Sequence, residues 1–220
     1  MNKLIILLSV IVLFYLPLAV SAQESTLIIG GQLGQFAPSD RRLQGRGMLY
    51  TAGQSGIDGA WEVIGFIGYR RGQMEYRVES GTRRHDHDNK PHYEGSYSYK
   101  ARLYVYPITI SAIYRFSKIE KGIVPYLGIG TGVYISQWRE FNENGFDLPE
   151  CIKGDAIHPG YHFLAGADYA MSKIHFMTEL RYSIIYGDWD FTEQYDDSVR
   201  EVSSLNIGGV SLRVGLGYEL

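Results

Sequence analysis

The sequence predicts an all-β chain that closes into an eight-stranded antiparallel up-and-down transmembrane β-barrel. Three observations predict it. Apolar and polar residues alternate with a period of two through most of the chain beyond residue 22. The connections between alternating segments are short and long by turns. Beyond the first residues, no stretch is long and uncharged enough for a spanning helix, which needs about 20 apolar residues.

The chain of 220 residues begins with Lys3 and an almost wholly apolar run, Leu4–Leu16, and then offers the small residues Val20-Ser21-Ala22. This is the layout of a secretory signal peptide, too short for a membrane anchor, with cleavage expected after Ala22. Residues 1–22 are therefore read as a signal peptide and 23–220 as one barrel domain. A composition of 45% hydrophobic and 20% charged residues suits a barrel whose two faces alternate, though it suits a soluble protein equally. The net charge of −3 provides no basic field, which argues against nucleic acid. The single Cys151 excludes an internal disulfide and a thiolate zinc site.

Eight strands follow from the alternation. The first is Leu27–Phe36, rich in glycine. The second, Ala60–Tyr69, places Trp61, Val63, Gly65, Ile67 and Tyr69 on one side. The third, Gln73–Glu79, sets Met74, Tyr76 and Val78 against Glu75, Arg77 and Glu79. The fourth covers Tyr97–Phe116, but its apolar phase flips at Pro107, from Leu103 and Val105 to Ile108, Ile110 and Ala112. A one-residue bulge at this proline is expected to restore the phase. The fifth strand, Val124–Trp138, opposes Leu127, Ile129 and Val133 to Tyr126, Gly128, Gly130, Gly132 and Tyr134. The sixth is Gly160–Met171 and the seventh Ile174–Tyr186; the eighth runs from about Ser204 to the last residue. The connections Arg70–Gly72, Ser117–Ile123 and Ser172-Lys173 are short. Ala37–Gly59, Ser80–Ser96, Arg139–Pro159 and Gly187–Ser203 are long and polar.

Several of these strands resemble those of small bacterial outer-membrane β-barrels, the OmpA/OmpX-like and opacity-protein-like domains. The resemblance rests on Tyr114–Phe116, on Pro125-Tyr126-Leu127-Gly128-Ile129-Gly130-Thr131-Gly132, on Glu179-Leu180-Arg181-Tyr182 and on Gly215–Tyr218. The end of the chain is similar to the family's closing strand, polar-x-Gly-x-x-aromatic-x-hydrophobic. Arg213, Gly215, Tyr218 and Leu220 fill the slots, Leu220 standing where Phe is more usual. The resemblance implies that Gly215, Tyr218 and Leu220 act as an insertion signal read by the barrel-assembly machinery. It also implies a bacterial outer-membrane address.

The inward phase of the predicted strands collects Glu62, Glu75, Arg77, Arg102, Arg115, Asp168, Glu179, Arg181, Arg213 and Glu219. In so narrow a barrel these are expected to pair into a lumen charge network, since a buried unpaired charge is far costlier than a paired one. A structural plug is favoured over a pore lining, with weak porin activity the alternative. The His85-Asp86-His87-Asp88 cluster, with His92 nearby, holds metal-ligating residue types, but without fixed spacing it reads first as a hydrophilic loop. No metal or cofactor is assigned. His158, His162 and His175 are the candidates for a catalytic base, yet no Ser stands at a recognisable spacing from them.

The sequence thus reads as a non-catalytic outer-membrane barrel, monomeric, with a structural or surface-interaction role. Its partners are membrane lipids and lipopolysaccharide, the latter met through Arg41, Arg42 and Arg46 in the first long loop and Arg83, Arg84 and Lys90 in the second. Two other readings compete: a lipid A-modifying enzyme on the same scaffold, and a soluble secreted ligand-binding barrel.

Overall fold

The computed structural model of the protein describes residues 25–38, 60–89, 99–117, 119, 122–142, 154–192 and 199–220. The expected signal peptide, the loop arginines Arg41, Arg42 and Arg46, and Lys90, His92 and Cys151 lie outside the described residues. So do the side chains of Asp86, His87 and Asp88.

The described residues are nearly all strand: β1 (Ser25–Pro38), β2 (Ala60–Arg71), β3 (Met74–Asn89), β4 (Tyr99–Arg115), β5 (Ile123–Asn142), β6 (Gly154–Met171), β7 (Ile174–Thr192), β8 (Val199–Asn206) and β9 (Gly209–Glu219). From β1 to β7 each strand pairs antiparallel with its successor. β8 and β9 both pair with β7 and form one stave interrupted at Ile207-Gly208. β9 then pairs with β1, so eight staves close into a barrel.

The strand registers fix its shape. A path of direct partners leads from Thr26 through Arg70, Glu75, Ile113, Gly128, Leu164, Arg181 and Ser211 to Phe36, so one circuit returns ten residues further along β1 (36 − 26 = 10). With ~3.3 Å per residue and ~4.8 Å between strands, that stagger over eight strands tilts them by about 40°. Trp61 and Tyr69, Tyr106 and Tyr114, and Tyr161 and Tyr169 are eight residues apart on the outward phase of β2, β4 and β6 (69 − 61 = 114 − 106 = 169 − 161 = 8). At that tilt the two aromatic girdles stand roughly 20 Å apart, close to the ~25 Å apolar band of a transmembrane barrel. Between them the exposed face is apolar: Leu33, Val63, Ile67, Val78, Leu127, Ile129, Phe163, Leu180, Leu212 and Val214. A surface this apolar is a lipid-facing one.

The tight connections all lie at one rim. Gly72 and Gly122 there adopt φ of 58° and 80°, which glycine reaches without steric cost, and Ser172 does so with φ 58°. At the other rim β1 is described to Pro38 and β2 from Ala60, and β3 to β7 are described well beyond that row.

Two expectations about the wall are corrected. Pro107 causes no bulge: β4 keeps one register against β5 from Tyr99↔Asn142 to Arg115↔Tyr126. Against β3 it keeps the same offset on either side of the proline, at Ser80↔Ile108 and Arg83↔Val105. Lacking an N–H, Pro107 interrupts the β3 ladder without shifting it. What flips is the polarity of the two faces, because Leu103 and Val105 are buried inside. By the same token Arg102 lies on the outward phase, half-exposed, and is not a lumen residue. β3 also extends ten residues past its predicted end at Glu79, to Asn89 (89 − 79 = 10), so Arg83 and His85 belong to the wall, both buried inside, rather than to a loop. Of the arginines assigned to that loop, only Arg84, on the outward phase of β3, is exposed among the described residues.

Candidate functional site: the charged lumen

Because side chains of a strand alternate between faces, every second residue of each stave enters the lumen. Five arginines and five carboxylates are buried there: Arg77, Arg83, Arg115, Arg181 and Arg213, with Glu62, Glu75, Glu79, Asp168 and Glu179. They form three connected units along the barrel axis.

The lowest unit sits at the tight-turn rim. Arg115 donates to Glu75 at 2.9 Å and to Asp168, tying β4 to β3 and β6. Arg70 reaches the same two carboxylates at 3.3 and 3.4 Å. His175 lies between two acids, its Nδ1 2.9 Å from Asp168 and its Nε2 3.2 Å from Glu219 on β9. Glu219 is thus at the lumen's mouth, partly exposed, rather than within it.

The middle unit spans the barrel. Arg77 donates to Glu75 at 2.7 Å and to Glu179, on the far side of the lumen, at 2.9 Å. Arg181 pairs with Glu79 at 2.5 Å and Glu179 at 2.8 Å. Tyr126 and Thr109 donate to Glu179 and Glu79 at 3.3 and 3.1 Å. The Arg77 guanidinium also faces the rings of Phe66 and Tyr126, at 4.8 and 5.8 Å, a cation–π arrangement. In the upper unit Glu62 accepts from Arg83 at 3.1 Å and from Arg213 at 2.5 Å.

Inward glycines make room for these groups. A Cβ on Gly34 would meet Arg213 Cγ at 2.8 Å, and one on Gly130 would collide with the His162 ring and the Ile110 carbonyl. A Cβ on outward Gly65 would meet only the Ser80 carbonyl, at an ordinary van der Waals distance of 3.8 Å. Above the charged units the filling turns mainly apolar, with Phe36, Leu103, Val105, Ile185 and Ile207 buried around His85, Ser136 and His158.

The three histidines weighed as catalytic bases are all buried in the lumen. Two meet a serine that sequence spacing did not reveal: His162 Nε2 is 2.8 Å from Ser111 Oγ, and His158 Nε2 is 3.1 Å from Ser136 Oγ. The partners come from β4 and β5, so only the strand register brings them together. His162 Nδ1 has no hydrogen-bond partner, so no acid orients that ring as a nucleophile–base pair requires. Of the predicted lumen network, Glu75, Arg77, Asp168, Glu179, Arg181 and Arg213 are brought together, while Arg102 is not. Glu79 and Arg83 complete it. Gly215 faces inward against Gln32, and Tyr218 and Leu220 are exposed on the outside.

Closed, apolar outside and charge-paired within, the chain is a transmembrane β-barrel of the eight-stranded kind. Solved structures share that fold. The outer membrane protein OprG of Pseudomonas aeruginosa is similar with a TM-score of 0.62 and 16% identity, over 91% of this chain and 98% of that one. Neisserial surface protein A is similar at 0.53 and 16%, over 91% and 100%. A major outer membrane protein of Thermus thermophilus gives 0.51 and 10%, over 90% and 100%. At these identities the likeness is one of fold. No protein-family description matches the sequence, and no curated protein is significantly similar to it.

Proposed function

We propose that this protein is a plugged barrel of the bacterial outer membrane, exported through a signal peptide cleaved after Ala22, that serves a structural or surface-interaction role. The observation that carries the reading is the asymmetry of its two rims. One is held by tight turns, and the long connections spring from the other. Connections of that kind carry recognition, while the sheet supplies the frame. The filled lumen supports a barrel that does not conduct freely, since eight strands leave an interior only wide enough for side chains.

Lipopolysaccharide is the proposed partner of the long-loop rim, through Arg41, Arg42, Arg46 and Arg84. Neutralising these four should weaken binding to lipopolysaccharide vesicles; unchanged binding would remove that partner. The protein is proposed to be non-enzymatic, because its Ser–His pairs are sealed in the lumen away from any lipid. An altered lipid A mass profile in cells expressing it, absent with His162→Ala, would overturn this.

The native Cys151 tests the orientation. In the sequence it stands between Asn142 and Gly154, the ends of β5 and β6 at the long-connection rim. A membrane-impermeant maleimide should label it in intact cells. Labelling only after lysis would contradict surface display.

A further inference from the structure

The lipid-facing wall is grooved on one side. Leu216, Gly31, Gly65, Ser80 and Ile108 are successive direct partners, so β1 and β2 present no side chain in that outward row. The next row toward the tight turns, Ile174, Tyr218, Ile29, Ile67 and Val78, is apolar and exposed throughout. Against these two rows lies a groove of about 830 Å³, open to the outside and lined almost wholly by apolar atoms.

The lower end of the groove meets a cation. Lys173, in the turn between β6 and β7, is exposed, and its Nζ stands 5.9 Å from the centroid of the Tyr218 ring. Glu219 N holds the turn by donating to the Lys173 carbonyl at 2.8 Å. The Glu219 carboxylate lies 3.2 Å from His175 instead, and the Lys173 amine makes no ion pair among the described residues.

The register sets the groove against the membrane. Tyr218 pairs with Ile29 and Ile29 with Ile67, and Gly65 is two residues nearer the long-loop rim (67 − 65 = 2). At the 40° tilt, two staves and two residues raise Gly65 roughly 11 Å above Tyr218, about half the distance between the girdles. The line joining them runs nearly parallel to the barrel axis. A hydrocarbon chain that starts at Tyr218 therefore ends over the glycines at mid-membrane.

We propose that the groove holds one acyl chain of an anionic glycerophospholipid from the leaflet on the tight-turn side, its phosphodiester resting on Lys173. This rests on the membrane placement proposed above. An amine over an aromatic ring at the edge of the apolar band stands at headgroup height. A headgroup that carries its own ammonium neutralises its phosphate, so phosphatidylglycerol is preferred to phosphatidylethanolamine. Gly31 and Gly65 let the chain lie against the backbone, in close contacts that a side chain would block.

The test is native mass spectrometry of the protein refolded in octyl glucoside micelles and titrated with dioleoyl phosphatidylglycerol or dioleoyl phosphatidylethanolamine. One phosphatidylglycerol should bind saturably, at least about threefold more tightly than phosphatidylethanolamine. Lys173→Gln should weaken it about fivefold, as the loss of one interfacial cation predicts, and Lys173→Arg should not. Gly65→Leu, which fills the groove, should weaken both lipids, and Ala165→Leu, outward on β6, neither. Equal affinity for the two lipids, or a phosphatidylglycerol affinity unchanged by Lys173→Gln or by Gly65→Leu, would overturn the site. A chain that failed to refold into phosphatidylglycerol vesicles, judged by heat-modifiable gel mobility, would instead overturn the membrane placement and the site with it.

Discussion

From the tight-turn rim up to Glu62 the lumen holds charged side chains from six staves, interleaved with the apolar clusters Ile28–Phe66–Met177 and Ile113–Tyr126–Leu164, whereas above that row Phe36, Leu103, Val105, Ile185 and Ile207 supply most of the filling around His85, Ser136 and His158. The outer face changes in the opposite sense. Along the same stretch of β4 it passes from Ile108 and Ile110 between the girdles to half-buried Arg102, Tyr104 and Tyr106 at and above the upper one. Each face therefore takes its polarity from the medium at that height. Where lipid lies outside, the apolar side chains face out and the polar ones must pair inside. Above the lipid, the apolar side chains turn in and build an ordinary small core. The strand runs through both regimes without a break in register.

The sharpest way to break this comparison is to remove a charge that its neighbours cannot replace. Glu179→Ala leaves Arg77 and Arg181 each short of a carboxylate in a sealed lumen, and should destabilise the refolded barrel by about 3–5 kcal/mol. Urea unfolding followed by tryptophan fluorescence would measure it, and a loss below about 1 kcal/mol would mean that water enters and screens the network. In the upper region Leu103→Ala should cost about 2–4 kcal/mol, as truncation in a packed core does. A much smaller loss there would indicate that the apolar filling is loose.

Two glycine substitutions sharpen the contrast between the faces. Gly130→Ala drives a methyl group against the His162 ring and the Ile110 carbonyl, and should cost about 1–3 kcal/mol by the same assay. Gly65→Ala places a methyl group on the lipid side in no more than ordinary contact with the Ser80 carbonyl, and should stay within about 0.5 kcal/mol of wild type. Equal costs would mean that the inward crowding is relieved by movement of the His162 side chain.

How much of this was legible in the sequence follows the same division. Between the girdles, period-two alternation is clean, and it places Glu75, Arg77, Asp168, Glu179, Arg181 and Arg213 inside without any tertiary information. Above the upper girdle the rule that apolar residues face out no longer holds. There the alternation alone turns Arg102 inward, demands a bulge at Pro107 and leaves Arg83 in a loop. The polar run from Ser80 to Asn89 has no apolar partner phase to reveal it as a strand, although its backbone pairs on both sides up to Arg84 and with β4 to its end. The Ser–His pairs were hidden for another reason. Ser111 and His162 are 51 residues apart, and only the registers Ser111↔Gly130 and Gly130↔His162 set them in one row, reaching each other over a glycine.

The central claim is that paired charges and packed hydrocarbon together close the lumen. Single-channel recording of the refolded protein in a planar bilayer addresses it directly. A quiet baseline is expected for the wild type, with openings appearing in Glu179→Ala as the middle unit loosens. A steady conductance in the wild type, unaltered by that substitution, would contradict a filled barrel.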